Sequence, residues 1–146
     1  MSVAGGKGVN VARVLKLLGS RAVALGFLGG ETGSIFARRV EEEGIDARWV
    51  RTGGETRSNV TVADRSRGHD THLTERGAAV TSEEAHQLEM ELCASAGAGD
   101  TVVLCGSLPE GIDDSYYSRL AGLVKKKGAR VALDASGPAL VRALGA

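Results

Sequence analysis

Apolar positions along this chain change period from segment to segment, and the changes mark its elements. From Val9 to Leu18, the residues Val9, Val11, Val14, Leu15 and Leu18 lie close to helical spacing, and Gly19 stands where a C-cap belongs. "AVALGFLGG", residues 22–30, then reads as a short buried strand. In "ETGSIFARRVEEEGI", residues 31–45, Ile35, Phe36 and Val40 form an apolar stripe that Gly44 closes, which predicts a helix. Strand followed by helix is the pattern of an α/β protein.

Past "ARWVRT", the stretch "TRSNVTVADRSRGHDTHLTERG" alternates polar and apolar residues on either side of "DRSRGHD". This predicts a hairpin with one exposed face, projecting as a flap. "VTSEEAHQLEMELCASAG" opens on a candidate capping box, Thr81 with Glu84, and carries Leu88 and Leu92 four apart, so it predicts a helix. "TVVLC" is a continuous apolar run of the kind found in central parallel strands, ended abruptly by "GSLPEG". "DDSYYSRLAGLVKKKG" has acids at its start and lysines at its end, as the helix dipole favours, with Gly128 closing it. "RVALDAS" predicts a further strand, and "PALVRALGA" a helix with Pro138 in its first turn. Such alternation implies a mostly parallel sheet covered on both faces, with ligands beyond the carboxyl ends of its strands.

Composition narrows the classes of partner. Eighteen basic and eighteen acidic side chains among 146 residues cancel, so the overall charge calls for neither nucleic acid nor an anionic membrane. No apolar run approaches the roughly 20 residues that span a bilayer. The N-terminus lacks the charged and apolar regions of a signal peptide. Cys93 and Cys105, far apart and without metal-ligand spacing, read as buried reduced thiols of a cytosolic protein.

Several segments invite chemistry. "AGGKGVN" is not a Walker A loop, because Gly8 follows Lys7 where that loop needs Ser or Thr. The glycines of "GFLGGETG" do not follow G-x-G-x-x-G. Glycines just before a helix, as Gly5 and Gly6 are here, allow close backbone approach to a ligand at the first helical N–H groups. The three histidines, His69, His72 and His86, read as solvated residues of the hairpin and of a helix surface.

Taken together, "GGKGVNVARVLKLLG", "TRSNVTV" with "THLTERG", "GDTVVLCGSLPEG" and "LDASGPAL", in this order and at these separations, resemble the PfkB family of ribokinase-like carbohydrate kinases. Lys7 and the Thr56-Arg57 pair favour the branch of 1-phosphofructokinase and tagatose-6-phosphate kinase. The resemblance implies a ribokinase-like α/β fold, a mostly parallel sheet with helices on both faces, plus a small β lid hairpin over about residues 56–76. It also implies transfer of the γ-phosphoryl group of ATP, with Mg2+, to the hydroxyl of a sugar phosphate. Such chemistry rests on positioning and charge stabilisation.

Carried over by motif, the resemblance implies that Gly5 and Gly6 bring the backbone close to the sugar and that Asn10 hydrogen-bonds its hydroxyls. Lys7 and Arg57 become cationic partners of the phosphate already on the substrate, and Ser107 points into the same cleft. The lid closes over the sugar and pairs with a second subunit in some members, which implies a homodimer through the lid. Fructose 1-phosphate is the favoured substrate, with tagatose 6-phosphate and a non-catalytic sugar-phosphate-binding chain as alternatives.

The "GAGD" at Gly97 to Asp100 repeats the wording of the family's catalytic motif but precedes a predicted strand instead of opening a helix, so Asp100 is not the expected base. Members also carry an earlier N-P-x-L-D strand and a later nucleotide-binding half with the catalytic aspartate. Neither occurs here, so the expectation is a partial kinase domain with no catalytic or metal-binding residue of its own. Made alone, the chain is expected to be marginally stable or to associate, because missing neighbours expose apolar strand edges. A sharp, cooperative melt of a monodisperse monomer would count against this.

Overall fold

β1 (Val23–Gly29) is the strand around which the rest is arranged, because it is covered on both of its faces. Successive side chains of a strand point to opposite sides. Ala24 joins a core built from Ala4, Val9 and Ala12 around the first helix, with Val40 and Ile45 behind them. Leu25 and Phe27 pack instead on a second, larger core formed by Leu92, Leu104, Tyr117, Leu120 and Val124. The helices α1 (Lys7–Leu17) and α2 (Gly30–Glu42) therefore supply one face, and α3 (Ser82–Ser95) and α4 (Tyr116–Lys125) the other. The computed structural model describes residues 3–66 and 68–145.

Three strand pairs are present among these residues. β1 runs parallel to β2 (Asp46–Thr52), with Val23 opposite Asp46 and Gly29 opposite Thr52. β5 (Thr101–Cys105) runs parallel to β6 (Arg130–Asp134). β3 (Asn59–Asp64) and β4 (His69–Thr74) form an antiparallel hairpin, with Asn59 opposite Thr74. A final helix, α5 (Gly137–Leu144), has Pro138 in its first turn. The α/β class, the parallel pairing and the helices on both faces agree with the sequence. β2, to which the hydrophobic pattern assigns no element, is the one strand it leaves out.

Element ends follow local chemistry. Gly19 and Gly128 adopt positive φ, 75° and 81°, just past α1 and α4, in the left-handed region that glycine enters without penalty. At α3 the capping box forms: Thr81 Oγ1 accepts from the Glu84 N–H at 3.2 Å, and Glu84 Oε2 accepts from the Thr81 N–H at 2.7 Å. Glu84 Oε1 also accepts from the Gly53 N–H at 3.0 Å, which ties the end of β2 to the start of α3. These bonds, the Thr81 N–H first among them, hold the Glu84 carboxyl below the ordinary glutamate pKa. The acids ahead of α4 lie outside the helix, where Asp113 Oδ1 accepts from the Ser115 N–H at 2.8 Å.

Two expectations are corrected. The hairpin exposes both faces, since Val60, Val62 and Leu73 are 52%, 54% and 58% accessible, because no described helix packs against it. The cysteines are free but only partly buried, because Cys93 lies near the end of α3 and Cys105 at the end of β5. Arg67 of the hairpin turn and the terminal Ala146 of the last predicted helix lie outside the described residues. No helix among the described residues is long and apolar enough to cross a membrane.

Replacing Thr81 by Ala removes the acceptor for the Glu84 N–H and is expected to lower unfolding stability by about 1 kcal/mol. A shift of the urea midpoint at unchanged slope measures it.

Candidate functional site

At the carboxyl ends of β1 and β5 a cavity of about 600 Å3 opens between the root of the hairpin and the "GSLPEG" loop. Its floor is Phe27 and Thr52; Thr56, Arg57 and Arg76 form the hairpin side, and Ser107 to Glu110 the far wall.

The hairpin root is held in place by a reciprocal exchange. The Thr56 N–H donates to the Gly29 carbonyl at 3.0 Å, and the Gly29 N–H donates to Thr56 Oγ1 at 2.9 Å. Gly29 must be glycine, because a Cβ there would fall 1.8 Å from the Gly54 carbonyl oxygen. Glu55, also in the lining, reaches onto the start of α2. Its carboxylate accepts from the Glu31 and Thr32 N–H groups, both at 3.1 Å. Those two backbone donors lower its pKa from the ordinary glutamate value.

The far wall is fixed just as specifically. Gly106, with φ 97°, turns the chain out of β5; its N–H donates to the Asp134 carbonyl at 3.1 Å, and its carbonyl accepts from the Tyr117 hydroxyl, also at 3.1 Å. Burial, helped by the nearby Cys105 and Asp134, pushes that phenol up to about 12, so it stays a donor at any physiological pH. Two residues from the β5 terminus, Ser107 is thereby delivered to the cavity. The Val80 N–H donates to the Glu110 carbonyl at 2.8 Å and joins the segment after the hairpin to this wall.

Of the six residues singled out from the sequence, Arg57 and Ser107 share the cavity. Gly5, Gly6, Lys7 and Asn10 lie outside its lining, at the start of α1. That helix start abuts the same strand end, since a Cβ on Gly8 would lie 3.6 Å from Cys105 Sγ. Gly6 enters the helix at φ 133°, with no side-chain cap and no acid in the first turn. Lys7 Nζ pairs with Asp134 Oδ1 at 2.9 Å. Asn10 Oδ1 accepts from Arg13 Nη1 at 2.8 Å, which leaves its amide N–H groups free to donate. Arg13 is itself held by Glu43, at 2.5 and 2.7 Å, and by the Ala4 carbonyl.

Arg76, Thr52, Glu55 and Glu110 are cavity residues that motif reading passes over. A signal for Arg76 existed: it stands as far behind the hairpin turn as Arg57 stands ahead of it. Asp100 heads no helix; its carboxylate accepts from the Gly97 N–H at 2.8 Å in a turn before β5. His69 and His72 are exposed on the hairpin, and His86 is exposed on α3.

The model of the pfkB family carbohydrate kinases matches residues 2–145. The chain belongs to the pfkB family. Among similar proteins, the 1-phosphofructokinase of Rhodobacter capsulatus is 43% identical over 144 residues, covering 98% of this chain and 46% of its own length. The tagatose-6-phosphate kinase of Staphylococcus epidermidis is 34% identical, covering 97% and 45%. Phosphofructokinase-2 from Escherichia coli, solved in complex with fructose-6-phosphate, superposes with a TM-score of 0.90 at 33% identity, over 97% of this chain and 46% of that one. This pfkB chain thus spans about half the length of the curated relatives it matches, and its ribokinase-like fold is shared with them.

At neutral pH, Glu55→Gln should melt below the parent, because a carboxylate whose folded pKa is depressed adds stability above its unfolded pKa. That contribution fades as pH falls through the folded value. Circular-dichroism melts are expected to show the difference at pH 7 and its closure toward pH 3.

Proposed function

We propose that this chain supplies the sugar-phosphate-binding part of an ATP-dependent kinase that converts fructose 1-phosphate to fructose 1,6-bisphosphate. The observation that carries the reading is the cavity at the strand ends that joins Arg57 to Ser107. It occurs in a chain 43% identical to a protein named 1-phosphofructokinase. A guanidinium is suited to grip the phosphate already on the sugar, by forked, charge-assisted hydrogen bonds. Ser107 offers a hydroxyl to the sugar. The uncapped start of α1, with Gly5 and Gly6 ahead of it, offers N–H donors beside the same strand end, and Asn10 adds its amide donors. Lys7 reaches the substrate by exchanging Asp134 for the phosphate.

These residues bind and orient the sugar; the lid hairpin excludes water that would otherwise accept the phosphoryl group. When bound, ATP supplies the phosphoryl group and Mg2+ neutralises its charge. Among the described residues, no group of three or more His, Cys, Asp or Glu is placed to hold a metal ion, and the "GAGD" turn heads no helix. We assign both groups to the other half of a kinase about twice this length.

The exposed Val60, Val62 and Leu73 of the hairpin suit pairing with a second lid in a homodimer. One solved neighbour, phosphofructokinase-2 from E. coli, is described as a tetramer in its inhibited form. A second reading, tagatose-6-phosphate kinase, is favoured by the S. epidermidis relative.

The deciding assay takes the kinase containing this sequence, ATP and Mg2+, and offers it fructose 1-phosphate, tagatose 6-phosphate and fructose in parallel. Turnover of fructose 1-phosphate is expected, with Arg57→Ala raising KM about tenfold or more for the loss of charge-assisted hydrogen bonds. Preference for tagatose 6-phosphate selects the second reading; turnover of the unphosphorylated sugar alone refutes both.

A further inference from the structure

The hairpin register sets a second arginine, Arg76, beside Arg57. Asn59 and Thr74 are the last paired residues at the hairpin root, so Arg57 and Arg76 stand at matching positions, each two residues beyond them. The adjoining step confirms that the two arms remain together, because the Ser58 N–H donates to Glu75 Oε2 at 2.9 Å. Arg57 lies against the Arg76 arm: a Cβ on Gly77 would be 3.8 Å from Arg57 Cδ. Like charges at facing positions of two strands repel. Both arginines nevertheless line the same cavity.

Neither arginine is held in an ion pair among the described residues. Glu75 is occupied by the Ser58 N–H, and Glu55 by the start of α2. Among the described residues no carboxylate lies within ion-pair distance of Arg57 or Arg76. Lys7, the other cation expected from the motif, is committed to Asp134. Glu55, beside the start of α2, and Glu110, on the opposite wall, line the cavity as well. Two arginines without ion-pair partners, lining one concave surface, fit an anion with several acceptor oxygens, and a phosphate monoester has three.

We propose that Arg57 and Arg76 form a two-arginine clamp on the phosphate that the substrate already carries, with Arg76 acting as a specificity residue for phosphorylated over neutral sugars. The clamp rests on the reading of this cavity as a sugar-phosphate site. It points the phosphate toward the hairpin root and turns the sugar hydroxyls to Ser107 and Glu110. Binding relieves the repulsion between the two arms, so the anion also fastens the lid at its base.

Isothermal titration of the kinase containing this sequence with fructose 1-phosphate and, separately, with fructose tests this, using the parent, Arg57→Ala, Arg76→Ala and Arg76→Lys. Arg76 is exposed, and far-UV circular dichroism is the check that each variant is folded. Arg76→Ala is expected to weaken fructose 1-phosphate binding about tenfold and to leave fructose unchanged, with Arg76→Lys in between because charge returns without the fork. If Arg76→Ala binds fructose 1-phosphate like the parent while Arg57→Ala does not, the clamp is overturned and the sugar-phosphate site stands. Equal loss for both sugars also overturns the clamp, since the residue then acts on shape alone. If the parent binds fructose 1-phosphate no better than fructose, the site reading falls and the clamp falls with it.

Discussion

The structure depends on the two-sided burial of β1. A parallel strand has no solvent face, so each of its residues must meet a helix or be small. Ala24 is close to α1 and α2; Leu25 and Phe27 reach the core of α3 and α4. On the first face Gly26 leaves space for Trp49, whose ring meets Phe36 edge-on at 5.7 Å. With both faces occupied, only the end of the strand is left for a ligand, and it is there, at Gly29, that Thr56 anchors the hairpin.

This placement explains why the cavity is built from segments far apart in sequence. β1 and β5 both contribute side chains to the larger core, so their carboxyl ends lie at the same level of the molecule. The Thr56 exchange with Gly29 fixes Arg57 at one end, and the Gly106 turn, secured by Asp134 and Tyr117, fixes Ser107 at the other. Neither anchoring group need touch a ligand. Both act by removing conformational freedom from Arg57 and Ser107, and ordering of this kind lowers the entropy lost when such residues bind a ligand.

Much of this was legible in the sequence, for identifiable reasons. The helices announce themselves through periodic apolar residues and local caps, as the Thr81 and Glu84 pair does at α3. β2 escaped because "DARWVRT" mixes charge with its apolar residues, and only pairing with β1 makes it a strand. The hairpin was visible by alternation, but alternation assigns one face to a core, and here no described element covers either face. Arg57 and Ser107 were legible through the roles their family motifs imply; Arg76, though inside "THLTERG", was passed over, because its relation to Arg57 comes from the register across a turn. The partnership of Lys7 with Asp134, 127 residues away, is invisible to any local pattern.

The location of the arginines on the hairpin has a mechanical side. Strands of six residues reach roughly 20 Å from root to tip. A hairpin that swings about its anchor at Gly29 moves its tip far and its root hardly at all. Arg57 and Arg76 sit at the root of that lever, where any such swing would displace them least.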